Sequence, residues 1–414
     1  MQKDKTLIVL NYQREIPPFM QMEIGVARNY FDRIIYITRP LVKNNRDSIL
    51  STNVSVIEVS RKLRKQLMII APIKACFNYW TLKQMLNKVS IGSIKSILSH
   101  FYCALSLYIT SRNIISYLLK QNQEVYILAA WMNTEATAAC WLKKELPEIK
   151  AYSLAHSFEV IPERNKYLLQ NFHELHHLKL DKVYFISKKV RDLYLDGMKS
   201  LNIRERFSAK IGIRYLGCLK PNNALNPNST SSEAFHIVTC SRIDENKRLS
   251  MIVAALSLIK NQRIKWTIIG DGVLKEQIAN ETNNLTKNNS LITVDLVGQY
   301  SNKQVNEFYK NNHIDLFINV SRIEGLPVSI MEAFSYGIPA IGTDVGGTSE
   351  IITDANGFLI DRDFTPQDLA QLITQYMHLS SDKINTYRGK AYQTWQHNFD
   401  ASVNSINMYK EWEK

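Results

Sequence analysis

Ser321-Arg322-Ile323-Glu324-Gly325-Leu326-Pro327-Val328-Ser329-Ile330-Met331-Glu332-Ala333-Phe334-Ser335-Tyr336-Gly337-Ile338-Pro339 is the stretch on which the fold turns. It follows an apolar run at residues 315–320, sets Pro327 where a first helical turn tolerates a residue without an N–H, and closes with Gly337 and Pro339, a helix stop. The order is therefore strand, loop, short helix, strand. Glu324 falls on the loop at the strand's carboxyl end, and Glu332 falls on the helix that follows, leaning back toward its N-terminus. In open α/β sheets that edge is where ligands bind. The two carboxylates, eight residues apart, can accept hydrogen bonds from hydroxyl groups at two ends of a sugar-bearing ligand, and the amides of Gly325 and Leu326 offer donors to phosphate oxygens. A capping glutamate and a solvated helical one would give the same spacing, so the surroundings must decide.

Outward from this stretch, short Val/Ile/Leu runs bounded by polar or glycine residues read as buried parallel strands. They fall at 7–10, 34–37, 125–128 and 183–186, and again at 236–239, 264–269, 292–297, 315–320 and 338–342. Helical stretches lie between them, such as 249–258, and 367–376 behind Thr365-Pro366 as cap and first position. Alternating strands and helices indicate an α/β sheet with helices on both faces, and two such series indicate two doubly wound domains. The polar segment at 220–232, with Pro221 and Pro227, reads as a linker. We place an N-terminal domain at 1–210, a second at 211–390, and an amphipathic helix at 391–414 whose apolar stripe (Tyr392, Trp395, Phe399, Val403, Ile406, Tyr409, Trp412) docks back on the first domain. Length agrees: 414 residues exceed one ordinary domain.

The central stretch resembles the E-x7-E signature of retaining GT-B glycosyltransferases of family 4. That resemblance implies two Rossmann-like domains with a cleft between them. Cys240-Ser241-Arg242-Ile243-Asp244-Glu245-Asn246-Lys247-Arg248-Leu249 looks like the family's Gly-Arg-Leu...Lys-Gly segment, which gives Arg242 and Lys247 the role of clamping the donor diphosphate. Ser241 and Arg248 stand where glycines are usual, so a differently shaped loop is expected. Further similarities are Gly270 and Gly272 after the second strand of the donor domain, Gly298 at a strand end, and Gly346-Gly347 opening the next helix. Glycine pairs of this kind are more often turn-forming than ligand-contacting. In the first half, Ser153-Leu154-Ala155-His156-Ser157-Phe158-Glu159, preceding Glu163-Arg164, resembles the family's Arg-x-His-Gly-x-Asp segment and makes His156 the active-site histidine, with a hydrogen-bonded structural histidine as the alternative. The glycines usual after the first strand are replaced by a loop containing Arg14, a candidate for supplying charge instead.

The resemblance implies a retaining glycosyltransferase moving a hexose-type sugar from a nucleotide sugar, UDP being the first candidate. Glu332 holds the ribose, Glu324 with Gly325 and Leu326 holds the donor sugar, and His156 orients the reacting centre. Leaving-group charge is assigned to Arg242, Lys247 and helix-terminal amides, with no cofactor and no metal. Two other readings stay open: another GT-B enzyme such as a nucleotide-sugar epimerase or a glycogen-synthase-like enzyme, and a non-catalytic membrane-surface or nucleic-acid-binding scaffold.

Charge narrows the acceptor. Residues 1–200 hold 29 Lys and Arg against 16 Asp and Glu, while residues 201–414 hold 22 of each, so all of the formal +13 sits in the first half. Residues 59–123 carry ten basic side chains (Arg61, Lys62, Arg64, Lys65, Lys74, Lys83, Lys88, Lys95, Arg112, Lys120) and no acid, interleaved with large apolar residues. That pattern suits anionic lipid headgroups better than nucleic acid, for which no recognition motif is present. A lipid-linked saccharide at the inner face of the plasma membrane is the expected acceptor, in cell-surface polysaccharide or lipopolysaccharide synthesis. Five widely spaced cysteines without a CxxC pair argue against disulfides and thiolate zinc sites, and the start lacks a signal-peptide core, so a cytoplasmic protein is expected. The longest apolar candidate for a membrane span, 96–111, contains His100 and several serines. His173-Glu174-Leu175-His176-His177 spells the H-E-x-x-H zinc pattern, but five residues match easily by chance and no further metalloprotease feature is present, so a packed or solvated helical face is expected.

Overall fold

The computed structural model describes residues 3–42, 49–86, 91–160, 170–221 and 233–414. The linker at 222–232, Glu163-Arg164 and Lys88 lie outside the described residues. The chain divides into two compact units, Met1–Tyr215 with Ser402–Lys414, and Leu216–Ala401.

In unit 1 the strands are β1 (Lys5–Asn11), β2 (Arg33–Thr38), β3 (Val54–Glu58), β4 (Glu124–Ala129), β5 (Lys150–Ala155), β6 (Lys182–Phe185) and β7 (Ile211–Ile213). They form one sheet in the order β3-β2-β1-β4-β5-β6-β7, and each neighbouring pair is parallel. Thr6 to Leu10 are wholly buried, as a parallel sheet covered on both faces requires. The helices are α1 (Pro18–Ala27), α2 (Arg61–Ala75), α3 (Tyr79–Leu86), α4 (Ile91–Lys120), α5 (Thr134–Glu145), α6 (Ser157–Val160), α7 (Gln170–Lys179), α8 (Lys188–Gly197) and α9 (Ile203–Phe207). Helix α4 contains the apolar run at 96–111; it packs on α2 and α5, and no helix of the described residues is long and apolar enough to cross a membrane.

Unit 2 holds β8 (Phe235–Cys240), β9 (Ile264–Ile269), β10 (Ile292–Gly298), β11 (Leu316–Asn319), β12 (Ala340–Thr343) and β13 (Gly357–Ile360), a parallel sheet in the order β10-β9-β8-β11-β12-β13. Its helices are α10 (Leu249–Leu258), α11 (Lys275–Asn288), α12 (Asn302–Asn311), α13 (Val328–Ser335), α14 (Pro366–Met377) and α15 (Ser381–Thr394). Trp266 is fully buried among their apolar faces and donates its indole N–H to Thr239 Oγ1 at 3.2 Å. Both sheets reverse their strand order once, at β1/β4 and at β8/β11. Such a switch point opens a crevice at the carboxyl ends of the strands.

Helix α16 (Ala401–Trp412) belongs to unit 1 from Ser402 onward. The reason is chemical. Glu23 on α1 is buried and accepts hydrogen bonds from Arg214, from Ser405 Oγ (3.0 Å) and from Tyr409 OH, so two of its three partners other than the backbone come from α16. Trp412 stacks on Tyr152 with ring centroids 4.2 Å apart. The units therefore part after Tyr215 rather than after residue 210. The stripe expected to dock as one helix is also split: Trp395 and Phe399 bury in unit 2, in a π-helical turn against α13, and Tyr409 and Trp412 bury in unit 1. Val403 is exposed. Where the chain leaves unit 2, Cys218 N–H donates to Phe399 O (3.1 Å) and Ala401 N–H to Cys218 O (3.1 Å). A β-carbon on Gly217 would sit 2.2 Å from Phe399 O, so this pairing requires glycine.

Candidate active site

In unit 2 the loop after β8 and the loop after β11 meet at the switch point. Asn246 joins them: its Nδ2 donates to Ile323 O (3.1 Å), its Oδ1 accepts from Ile323 N (3.0 Å), and its own carbonyl accepts from Arg322 N (2.8 Å). That clamp brings Lys247 Nζ to 2.5 Å from Glu324 Oε1, with both side chains largely shielded from solvent. Arg242 is not part of this pair. Its side chain is 82% exposed and lies 3.5 Å from Asp244 Oδ2.

Ser241 and Arg248, at the two positions where glycine is usual, are both built into the loop. Arg248 takes the left-handed backbone, φ +52, that a glycine would supply. Its guanidinium donates to Val320 O (2.6 Å), Arg362 O (2.7 Å) and Ser321 O (3.3 Å), and it packs 4.7 Å from the Phe364 ring. The cost of the backbone conformation is offset by three charge-assisted bonds, two to the residues just past β11 and one to Arg362, just past β13. Ser241 contributes its carbonyl to a close approach, since a β-carbon on Gly270 would lie 1.8 Å from it. Gly270 N–H donates to Gly298 O (2.8 Å), so Gly270 and Gly298 serve loop packing.

Gly346 and Gly347 close the other side. Gly347 N–H donates to Gly325 O at 2.7 Å, and Gly346, at φ +56, would place a β-carbon 1.9 Å from Glu324 O. The signature loop is thus pinned by backbone, with Gly325 and Leu326 at the start of α13. Among the described residues no side chain caps that helix, and Pro327 stands at its N-cap; its carbonyl accepts from Ile330 N (3.2 Å), which leaves the Val328 and Ser329 amides for an anion. Glu332 lies one helical face along α13. Its carboxylate has neither ion pair nor hydrogen-bond donor among the described residues, and burial alone raises its pKa to about 7. Cys218, Cys240 and Tyr309 face it; burial pushes each of these up, so none carries charge at neutral pH.

In unit 1 the crevice at the β1/β4 switch point opens into a cavity of about 920 Å³ lined by Arg14, Glu15, Trp131, Glu135, Phe158 and Glu159 among others. Arg14 is exposed at its wall. His156, at the end of β5, is buried between Phe19 (4.7 Å) and Trp131 (4.5 Å). Its Nε2 lies 3.1 Å from Ala130 O. A carbonyl only accepts, so the proton sits on Nε2 and Nδ1 keeps its lone pair. Burial lowers its pKa to about 3, so the imidazole is neutral. Glu159 accepts from His156 N (2.9 Å) and Met132 N (3.0 Å), and burial raises its pKa to about 8. Glu135 accepts from Tyr12 N (2.8 Å) and Trp131 Nε1 donates to Asn11 Oδ1 (3.1 Å). Sequence reasoning did not single out Glu135, Trp131, Asn11, Asn246 or Arg248 as site-building. Only the long-range pairing reveals them.

The H-E-x-x-H residues take the packed-face reading. His176 Nε2 meets Thr137 Oγ1 (2.8 Å), His177 Nε2 meets Tyr194 OH (2.9 Å), and His173 is buried. Glu174 pairs with Lys83 and Arg206, each at 2.8 Å. Asp361-Arg362-Asp363, an Asp-x-Asp sequence, follows β13; Asp361 Oδ1 accepts from Asp363 N (2.8 Å) in a turn.

Comparison with known proteins bears on this geometry. A Bacillus subtilis (strain 168) protein named for a glycosyltransferase role in teichuronic acid biosynthesis, TuaC, is 32% identical over 149 residues, 36% of this chain and 34% of that one. The amylovoran biosynthesis glycosyltransferase AmsK of Erwinia amylovora is 25% identical over 149 residues, 34% of this chain and 36% of that one. The chain thus spans about a third of the length of these curated relatives. Among solved structures, Anabaena HepE in complex with UDP aligns with a TM-score of 0.69 at 15% identity, over 98% of this chain and 99% of that one; it has also been solved with UDP-glucose. The two parallel-sheet units are those of the GT-B fold, and residues 223–394, which carry the paired Lys247 and Glu324, match the family model of glycosyl transferases group 1.

Proposed function

We propose that this protein is a glycosyltransferase that moves a hexose-type sugar from a nucleotide sugar, UDP-linked first among the candidates, to a lipid-linked saccharide in cell-surface polysaccharide synthesis. The observation that carries this reading is the Lys247–Glu324 pair at a strand-order switch point, beside a helix with no side-chain cap among the described residues, whose Glu332 is half-buried with no ion pair or hydrogen-bond donor among them. The family model, the relatives' polysaccharide roles and HepE's UDP and UDP-glucose complexes support it.

In this reading the half-buried carboxylate of Glu332 accepts the ribose hydroxyls. Lys247 exchanges Glu324 for the donor diphosphate, so Glu324 is released to accept hydroxyls of the donor sugar. Arg242, free to swing, and the first amides of α13 complete the diphosphate site. Transfer retains the anomeric configuration by a front-face route: the C1–O bond to the diphosphate breaks as the acceptor oxygen bonds C1 on the same face, and the departing phosphate oxygen takes the acceptor proton. His156, neutral, orients the reacting centre through Nδ1. Stabilisation of the leaving group rests on these cations and dipoles.

A thermal-shift screen against UDP-, GDP-, ADP- and dTDP-sugars, repeated for Lys247→Ala, tests the donor assignment. A shift with one nucleotide that is lost in the variant supports it, and no shift with any of them overturns it. Product analysis separates transfer from epimerisation, since only transfer leaves a new glycosidic bond.

A further inference from the structure

Helix α2 is apolar on two opposite faces. Leu67, Ala71 and Ala75, four residues apart, are buried against Phe101 and Leu105 of α4. Ile69 and Ile73 repeat the same spacing two residues further on, about 200° around the axis, and Phe77 follows in the turn just past the helix's end. They are 74%, 60% and 85% exposed. Met68 and Ile70 flank them, and Tyr79, Leu82 and Leu86 of α3 extend the exposed apolar surface. Side chains of this size in water across two consecutive helices mark an interaction surface rather than scattered exposure.

The charges on the same helices are just as one-sided. Arg61, Lys62, Arg64 and Lys65 crowd the start of α2, where the helix dipole disfavours cations, and its first turn holds no acid. Nothing in residues 59–123 offsets them. An arrangement that opposes local helix stability is supplied with its missing charge by an anionic partner. A second copy of this chain would bring like charge to like charge. A nucleic acid would satisfy the cations but leave Ile69, Ile73 and Leu86 in water.

Beside this face is a cavity of about 480 Å³ walled by Phe77, Phe101, Leu105, Tyr108 and Trp141, with Lys74 and Lys144 also lining it. Glu145, the acid there, is already held by Arg112 and Tyr108. The cavity lies toward the C-terminal end of α5, whereas Thr134 and Glu135, at the other end of that helix, line the crevice near His156. It is therefore a separate place.

We propose that the exposed face of α2 and α3 docks on an anionic lipid bilayer, with Ile69, Ile73, Phe77 and Leu86 entering the headgroup–acyl boundary. One phospholipid places its chain in the aromatic cavity and its phosphate on Lys74 and Lys144. This deepens the proposed function by giving the route to a lipid-linked acceptor, but vesicle binding requires no transfer, so it stands or falls separately.

The test is flotation of the full chain with phosphatidylglycerol/phosphatidylcholine vesicles and with pure phosphatidylcholine, at low and high salt, beside size-exclusion without lipid. Binding is expected only with the anionic lipid and weakened by salt. It should fall at least about tenfold in Arg61→Glu/Lys65→Glu and in Ile73→Asp/Phe77→Asp. Bromine-labelled acyl chains should quench tryptophan fluorescence in the intact chain, and less in Trp141→Phe. A retained melting temperature, and any nucleotide-induced thermal shift of the parent retained in both charge variants, would show that the fold and the donor unit survive the substitutions. Equal binding to neutral vesicles, binding unchanged in both variants, or a lipid-free dimer abolished by Phe77→Asp would overturn the proposal, the last in favour of a second copy.

Discussion

Glu332 carries the most direct pH signature. Burial lifts its carboxyl from 4.5 to about 7, so the folded state binds this proton more tightly than the unfolded chain does. That contribution to stability is fully present below about pH 4.5 and is lost as pH rises through about 7. Unit 2 without ligand should therefore gain thermal stability on moving from pH 8 to pH 6, and Glu332→Gln should flatten the trend in a pH series of melting curves. Nucleotide affinity should move the opposite way, because an ionised carboxylate accepts two ribose hydroxyls better than an acid does. We expect affinity to tighten by up to roughly tenfold across the same interval and the change to vanish in Glu332→Gln. The carboxylate itself was legible from the spacing of the signature, but its titration was not. Cys218, Cys240 and Tyr309, which crowd it, come from elements far apart in sequence.

At the scale of elements, the signature loop is held by backbone pinning at two points, and each yields a contrast. Gly346→Ala forces a side chain into left-handed backbone and against Glu324 O, so chemical denaturation should show a loss of about 1–3 kcal/mol along with weakened nucleotide binding. Arg248 sits in similar backbone with its side chain fully engaged. Arg248→Ala loses the bonds and keeps the strain, whereas Arg248→Gly loses the bonds and relieves it. Glycine should be the more stable of the two by about 1 kcal/mol in parallel denaturation curves. If alanine is equal or better, the loop is not strained there. The central strands showed themselves in sequence because burial on both faces favours runs of Val, Ile and Leu, unbroken in residues 7–10 and interrupted by Lys265, Trp266 and Thr267 in 264–269. β3, β7 and β13 are sheet edges, half exposed, and need no such run; β5, Lys150–Ala155, is central but carries Lys150, Tyr152 and Ser153 among its alanines. Asn246 and Arg248 act on partners more than seventy residues away, and no local pattern encodes such pairs.

At the scale of the whole molecule, unit 1 is built from two separated pieces of chain, and its second piece is the short helix α16. Trp412 is stacked on Tyr152, and Ser405 and Tyr409 satisfy the buried carboxylate of Glu23. Trp412→Ala should cost unit 1 about 3–5 kcal/mol while leaving hydrogen exchange in unit 2 unchanged. Uniform loss of protection across both units would mean that they unfold as one.

The same discontinuity sets an order for synthesis. Residues 216–401 leave the ribosome before 402–414 do, so the sheet of unit 2 can close while Glu23 and the aromatic seat for Trp412 are still uncovered. On a chain stalled just beyond residue 401 and clear of the exit tunnel, protease should spare the later-made unit and cut the earlier-made one. The first half of this protein to be translated is, on that account, the last to become native.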